Sequence, residues 1–217
     1  MESQKQESQK QLNRRPLASR DRRWAALVTR ALLRTPITPN QISLLGIGFS
    51  AVGAWALVEA PRTQWGFLVG ALAIQLRLLC NLFDGLVAVE GGRGSTDGPL
   101  YNEVPDRVED TLFLVAFGCA AGSTWLGLVA ALLAMFTAYI RVLGGSLGLA
   151  QDFRGPMAKQ HRMAALTLGC LAAFVESLIS PTRYSLQVII AVIAVGSLLT
   201  AVRRLSAISS QLGRGQS

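Results

Sequence analysis

The stretch NLFDGLVAVEGGRGSTDGPLYNEVPDRVED, from Asn81 to Asp110, places carboxylates, amides and glycines directly after a strongly apolar segment. In an α-helix, residues three or four apart lie on one face. One such face precedes the glycine-rich turn and comprises Arg77, Asn81, Asp84 and Ala88. A second follows the turn, where Gly98 and Pro99 predict a helix start, and comprises Asn102, Asp106 and Asp110. The sequence therefore predicts two helices that each carry a polar stripe.

Two such stripes meet if the helices pack side by side at a membrane boundary. Carboxylate and amide oxygens are the ligands preferred by hard cations such as Mg²⁺, Mn²⁺ and Ca²⁺. Ionisable groups at membrane depth are costly and mark functional sites. The residues therefore predict a divalent-cation site with Asp84, Asn102 and Asp106 among its ligands. For Glu90 and Asp97, capping of helix ends at the interface is the preferred interpretation.

The composition predicts an all-α integral membrane protein. Of 217 residues, 51% are hydrophobic and 16% charged, whereas soluble domains average about 25% charged residues. A membrane-spanning helix needs about 20 predominantly apolar residues. Six segments qualify, at residues 42–60, 65–86, 105–122, 124–148, 163–180 and 184–207. We expect one membrane domain over residues 20–207, followed by a short cytoplasmic tail at 208–217, and no cleaved signal peptide.

The N-terminal region divides into two parts. The repeated ESQKQ motif offers nothing apolar to bury, so residues 1–19 are predicted to form a disordered cytoplasmic tail. Residues 20–34 place arginines on one helical face and five apolar side chains on the other: Trp24, Leu27, Val28, Ala31 and Leu32. This pattern is typical of a basic amphipathic helix on an anionic membrane surface. A solvated helix packed on its own protein is the alternative.

The distribution of charge predicts the topology. Lysines and arginines concentrate before the first span, between spans two and three, between spans four and five, and in the C-terminal tail. The opposite loops hold only Arg62 and Arg183. By the positive-inside rule both termini are cytoplasmic, and in a bacterium the protein would lie in the inner membrane. The net charge of +8 is attributed to topology and lipid attraction, and no nucleic-acid partner is expected.

The stretch from Asn81 resembles the signature of the CDP-alcohol phosphatidyltransferase family, D-x-x-D-G-x-x-A-R-x8-G-x-x-x-D-x-x-x-D. Matching positions are Asp84, Gly85, Ala88, Gly98 and Asp106. The segment Thr38-Pro39-Asn40 before the first span is similar to a stretch in the family, as are six spans behind a basic helix. Three positions depart: Asn81 and Asn102 replace acidic residues, and Val89 replaces the arginine. The resemblance predicts a variant site, because asparagine keeps an acceptor oxygen but loses the charge.

The resemblance implies metal-dependent transfer of a substituted phosphate from a CDP-activated lipid to a small alcohol or alcohol phosphate, with release of CMP, in phospholipid biosynthesis. Mg²⁺ or Mn²⁺ would be held by Asn81, Asp84, Asn102 and Asp106, and Asp106 would also be the general base. Donor contacts would come from Thr38, Asn40, Gly85, Ala88 and Gly98.

A second polar cluster on the same side would hold the acceptor or a phosphate, through Arg141, Lys159 and Arg162; ordinary positive-inside charge is the alternative. Arg77 and Asp110 are possible auxiliary residues. Two other functions stay open, namely a CDP-lipid hydrolase and a catalytically silent protein that binds lipid or a partner. A homodimer is compatible with the small residues of the spans.

Overall fold

The computed structural model describes residues 23–214, which form seven α-helices and no β-strand. The predicted tail at residues 1–19 lies outside the described residues, as does the end of the chain from residue 215. In chain order the helices are α1 (Arg23–Leu33), α2 (Pro39–Glu59), α3 (Trp65–Glu90), α4 (Gly98–Ala120), α5 (Thr124–Ser146), α6 (Lys159–Ile179) and α7 (Tyr184–Arg214). The all-α fold class is confirmed.

Five of these helices, α2, α3, α5, α6 and α7, are long and apolar enough to cross a membrane by length and composition. The helix α4 contains the predicted third span and begins at Gly98, as Gly98 and Pro99 predict, ahead of the apolar segment expected at residues 105–122. It fails the same criterion because its first half carries five charged residues: Glu103, Asp106, Arg107, Glu109 and Asp110. The sixth span therefore stays a prediction, and the charged half of α4 must find its partners within the protein.

Apolar side chains of α4 form the centre of the helix bundle. Phe113 and Phe117 are fully buried and pack with side chains of α2, α3, α6 and α7, including Leu57, Ile74, Leu166 and Ile190. Helices α4 and α5 approach closely at two glycines, since a Cβ atom added at Gly118 would lie 2.5 Å from Cα of Gly127. Among the described residues, α4 packs mainly against α2, α5 and α7, whereas α3 packs mainly against α1, α2 and α6.

The short helix α1 packs on α3 along one side and leaves part of its predicted apolar face exposed. Ala25 and Thr29 are fully buried, and the Trp24 ring meets the edge of Phe83 at a centroid distance of 6.0 Å. Leu27 and Val28 of the predicted apolar face are exposed. The helix thus contacts its own protein on one side and leaves apolar side chains free on another. The interfacial position of this helix stays a prediction.

Helix α2 begins with a capping box. The Gln41 backbone N–H donates to Thr38 Oγ1 at 3.2 Å, and the Thr38 backbone N–H donates to Gln41 Oε1 at 2.9 Å. Pro39 occupies the first turn, where the missing N–H removes no helical hydrogen bond. Two of the backbone donors at the start of the helix are thereby satisfied. The structure gives Thr38 this local role, and its assignment to donor binding stays a prediction.

Loss of the Thr38 hydroxyl should weaken the start of α2. We expect Thr38→Ala to lower the free energy of unfolding by about 1 kcal/mol, because an N-cap hydrogen bond is lost. Thr38→Ser keeps the hydroxyl and should retain most of the stability. Thermal unfolding of the detergent-purified protein measures both variants, and equal stability of Thr38→Ala and the parent would contradict the capping role.

Candidate active site

The two predicted polar stripes converge with the start of α6. Lys159, the first residue of α6, donates from its Nζ atom to Asn81 Oδ1 on α3 and to Asp106 Oδ1 on α4. The lysine and the aspartate are each only 7% exposed. The stripes therefore face each other across a gap that long side chains bridge, rather than through direct packing of α3 on α4. Sequence reasoning placed Lys159 in a separate acceptor cluster and did not predict this contact.

Asp84 is also buried, and its neighbours come from other helices. Ser43 of α2 donates from Oγ to Asp84 Oδ2 at 2.7 Å, and the Asp84 carboxylate lies close enough to Asp106 for the two charges to repel each other. Ser43, one helical turn after Pro39, was not predicted as a site residue. The arrangement joins α2, α3 and α4 at one site.

A buried ion-pair network lies beside this site, centred on Arg77 of α3. Its guanidinium pairs with the Glu109 carboxylate, donates from Nη2 to Asp110 Oδ1 at 2.7 Å, and lies 3.5 Å from Asp106 Oδ1. Arg77 and Glu109 are fully buried. Arg77 therefore contacts three acidic side chains of α4, of which Glu109 was not among the predicted site residues.

Arg162 of α6 completes the network. It donates from Nη2 to Asp110 Oδ2 at 2.6 Å and from Nη1 to the Met157 carbonyl oxygen at 2.9 Å. Asp110 therefore accepts from two arginines on different helices. Such a pair is costly to break, because removal of one partner leaves an uncompensated buried charge. The auxiliary residues Arg77 and Asp110 are thus the physical link between α3, α4 and α6.

Arg141, the third predicted phosphate-binding cation, is paired at the other side of α4. Its Nη2 atom donates to both carboxylate oxygens of Glu103 at 2.6 Å, and its Nη1 atom donates to Gln151 Oε1. The guanidinium also lies over the Phe153 ring, 5.1 Å from its centroid. A phosphate could reach Arg141 only in competition with Glu103. All three predicted phosphate-binding cations therefore pair with carboxylates of the protein: Arg141 with Glu103, Lys159 with Asp106 and Arg162 with Asp110.

The remaining predicted site residues lie around the loop between α3 and α4. The Asn102 side chain is exposed, and it takes no part in the hydrogen bonds that hold Asn81, Asp84 and Asp106. Gly85, Ala88 and Gly98 are half-buried. Asn40 approaches the loop, with Nδ2 3.5 Å from Ser95 Oγ.

Two further side chains of this loop have local roles. Asp97 is exposed, and a hydrogen bond from Ser95 holds the pKa of its carboxyl below the ordinary value. Arg93 donates to the backbone carbonyl oxygens of Leu33, Thr35 and Ile37, at 2.8 to 3.1 Å. It thereby ties the loop to the end of α1. Asp97 lies at the N-cap position of α4, but its side chain makes no capping hydrogen bond, so the capping interpretation is wrong for this residue.

The oxygen atoms of the site are of the type that binds hard cations, but few of them carry negative charge. Within residues 23–214 there is no group of three or more histidine, cysteine, aspartate or glutamate side chains arranged to hold a metal ion. The two asparagines account for this, since only Asp84 and Asp106 of the four motif positions are acidic. Amide oxygens still bind Mg²⁺ and Mn²⁺. The buried Asp84 and Asp106 carboxylates and the Asn81 amide are oxygen donors of the kind that one divalent cation takes, so the residues fit such an ion in type.

Gly46 of α2 should prove essential for the ion-pair network. A Cβ atom there would lie 2.5 Å from Glu109 Oε1, so Gly46→Ala should displace the carboxylate from Arg77 and cost about 1–3 kcal/mol of stability. Gly48 in the same helix has no atom within 4 Å of an added Cβ, and Gly48→Ala serves as the matched control. Thermal unfolding compares the two variants, and equal stability would contradict the close contact between α2 and Glu109.

Comparison with known proteins identifies relatives for this arrangement. No protein-family model matches the chain. The phosphatidylinositol phosphate synthase of Mycolicibacterium smegmatis is 28% identical over 86% of this chain and 84% of its own length. The enzyme of the same name from Mycobacteroides abscessus is 29% identical over 84% of this chain and 82% of its own length.

Solved structures share the fold. The crystal structure of Mycobacterium tuberculosis phosphatidylinositol phosphate synthase with manganese and citrate has a TM-score of 0.68 and 24% identity, and the match covers 83% of this chain and 87% of that one. The structure of the same enzyme with CDP-DAG bound has a TM-score of 0.67 and 24% identity, over 83% of this chain and 91% of that one. The chain is a distant homologue of the phosphatidylinositol phosphate synthases, which are members of the CDP-alcohol phosphatidyltransferase family.

Proposed function

We propose that the protein transfers a phosphatidyl group from a CDP-linked lipid to a small polar alcohol and releases CMP, as a step of phospholipid biosynthesis. The observation that carries this proposal is the buried meeting of Asn81 and Asp84 on α3, Asp106 on α4 and Lys159 on α6. The relatives support it, since they are named as synthases of phosphatidylinositol phosphate and one solved structure contains CDP-DAG.

A divalent cation, Mg²⁺ or Mn²⁺, would be held by Asp84 and Asp106 with amide oxygens from Asn81 and Asn102. When bound, such a cation neutralises the two phosphates of the donor and aligns the phosphorus that is attacked. One solved relative contains manganese, which supports this choice of ion. Ser43 keeps the Asp84 carboxylate in a fixed orientation through its hydrogen bond.

Asp106 is the proposed base that takes the proton from the acceptor hydroxyl. Its Oδ1 atom accepts from Lys159, so the lysine must turn away before this oxygen can accept a proton. The phosphate groups of the substrates provide a competing partner for the ammonium. Gly85, Ala88 and Gly98, which lack bulky side chains, would allow the nucleotide to approach the helix backbone, with Thr38 and Asn40 at the same end.

A phosphorylated alcohol is the acceptor that the charges favour. Arg141, Lys159 and Arg162 supply three cations near α4, and each is at most 8% exposed. Guanidinium groups bind phosphate through paired hydrogen bonds. The Glu103 carboxylate accepts hydrogen bonds from Arg141. A phosphate of the acceptor would therefore have to replace this carboxylate at the Arg141 guanidinium. The relatives, named for a phosphorylated product, support the same class of acceptor.

The proposed setting is a membrane with the site and both termini on the cytoplasmic side. The five apolar helices support an integral membrane position. The excess of lysine and arginine in the loops beside the site supports the orientation through the positive-inside rule. In this orientation the site lies at the level of the lipid headgroups on the side where CDP-activated lipids and phosphorylated alcohols would be bound.

The decisive experiment measures CMP release by the detergent-purified protein from CDP-diacylglycerol and Mg²⁺ or Mn²⁺. It is run without acceptor and with inositol phosphate, glycerol phosphate, inositol and serine in turn. We expect release that depends on the metal and on a phosphorylated acceptor. Release without any acceptor would indicate a hydrolase. Absence of release under all conditions would indicate a silent protein and contradict the proposal.

Asp106→Asn should lower the rate of CMP release at least about 100-fold, because a positioned general base contributes roughly that much or more. Asp97→Asn removes an exposed carboxylate from the same loop region and is the matched control, for which we expect an unchanged rate. Size-exclusion chromatography in detergent checks that both variants are folded. Full activity of folded Asp106→Asn would contradict the assignment of the base.

A further inference from the structure

Lys159 occupies an unusual place for a buried cation. It is the first residue of α6, and a helix N-terminus carries partial positive charge that disfavours a cation. The guanidinium groups of Arg77 and Arg162 belong to the same buried cluster. The contacts that hold the Lys159 ammonium there are those with Asp106 and Asn81. These are two of the four residues that would hold the divalent cation.

The balance of charge in the cluster points the same way. Its buried carboxylates are Asp84, Asp106, Glu109 and Asp110, and its buried cations are Arg77, Lys159 and Arg162. Arg107, whose Nη2 atom lies 3.6 Å from Asp106 Oδ2, adds a fourth positive group, so the four carboxylates leave no net negative charge for a divalent ion. Removal of Lys159 would leave one net negative charge at the oxygens that would bind the ion. The asparagines at positions 81 and 102 are the reason that the remaining charge is so small.

We propose that Lys159 is an internal competitor of the divalent cation. Its ammonium neutralises Asp106 and holds Asn81 while no metal is bound, and it must leave both oxygens when the metal binds. This inference rests on the proposed function, since it uses the same metal ligands. The lysine thereby lowers the affinity of the site for the metal. Carboxylates at positions 81 and 102, in place of the asparagines, would raise that affinity. The freed ammonium is then available to a phosphate group of the substrate.

The test measures binding of Mn²⁺ alone to the full-length purified protein, with free Mn²⁺ determined from its EPR signal. We expect Lys159→Met to bind Mn²⁺ about 10-fold to 100-fold more tightly than the parent, because a positive charge in contact with the ligands is removed. Lys159→Arg keeps the charge and should bind Mn²⁺ as weakly as the parent. Equal or weaker binding by Lys159→Met would overturn the inference.

Arg154→Gln is the matched control for general loss of positive charge. The Arg154 side chain is 85% exposed in the loop just before α6 and pairs only with Asp152 there. Its removal lowers the net charge of the protein by the same amount without touching Asn81 or Asp106, and Mn²⁺ affinity should not change. A gain equal to that of Lys159→Met would attribute the effect to surface charge and overturn the inference.

The double variant Lys159→Met with Asp106→Asn identifies the ligand that is freed. We expect the gain in Mn²⁺ affinity to be lost, because Asp106 then carries no charge. Retention of the gain would overturn the inference. If Lys159→Met fails to fold, Lys159→Gln replaces it, since the amide can still donate to Asp106. For the folded variant we also expect Mn²⁺ to raise the unfolding temperature more than it does for the parent.

The outcomes separate this inference from the proposed function. Equal Mn²⁺ affinities of the parent and Lys159→Met, together with metal-dependent CMP release by the parent, would reject the competitor role and leave the transferase intact. No Mn²⁺ binding by any variant, together with no CMP release, would reject both. Tighter binding by Lys159→Met supports the inference whether or not that variant retains turnover.

Discussion

The fold depends on how a fully buried arginine in an apolar helix is neutralised. Arg77 lies within α3, one of the five helices able to cross a membrane. An unpaired charge at such a position would be very costly, so α4 must present carboxylates to it. Glu109 and Asp110 form ion pairs with Arg77, and Asp110 forms a second ion pair with Arg162 of α6. These ion pairs fix the three helices that carry the candidate site.

The same constraint explains why α4 is the least apolar of the long helices. Its charged first half finds partners on α3, α5 and α6, and its second half supplies Phe113 and Phe117 to the centre of the bundle. A helix with this composition is stable beside lipid only when other helices surround it. The charged residues in the first half of α4 therefore determine both the position of this helix in the bundle and the chemistry of the site.

The site itself contains more positive charge than its predicted ligands suggest. Two amides replace carboxylates, and a lysine from α6 reaches into the gap between α3 and α4. An ammonium group and a divalent cation are alternative ways of neutralising close carboxylates. Under the proposal the two would compete for the same oxygens of Asn81 and Asp106.

Much of this could be predicted from helical spacing. The period of three to four residues placed Asp106 and Asp110 on one buried face of α4, whereas Asn102 of the same predicted stripe is exposed. The contact of Lys159 with residues 53 and 78 positions away could not be predicted, because packing between distant helices determines it. Glu109 was not predicted, because it lies beside the predicted polar stripe of α4 and not on it. Ser43 was missed because a single small polar side chain gives no periodic signal.

One cue in the sequence was available but was interpreted differently. Thr38 and Gln41 have the spacing of a capping box, whereas the resemblance to a family motif predicts that Thr38 contacts the CDP-linked donor. Local hydrogen bonding and substrate contact are compatible roles for one residue. The capping role could be predicted from sequence alone, whereas the second role requires the substrate.

A double-mutant cycle between Lys159 and Asp106 measures whether these two buried charges stabilise each other. The free energy of unfolding is measured in detergent, without metal, for the parent, Lys159→Met, Asp106→Asn and the double variant. A buried ion pair predicts that each single change is destabilising and that the double change costs less than their sum, by about 1–3 kcal/mol. Additive effects of the two changes would show that these charges do not interact, and would contradict the account.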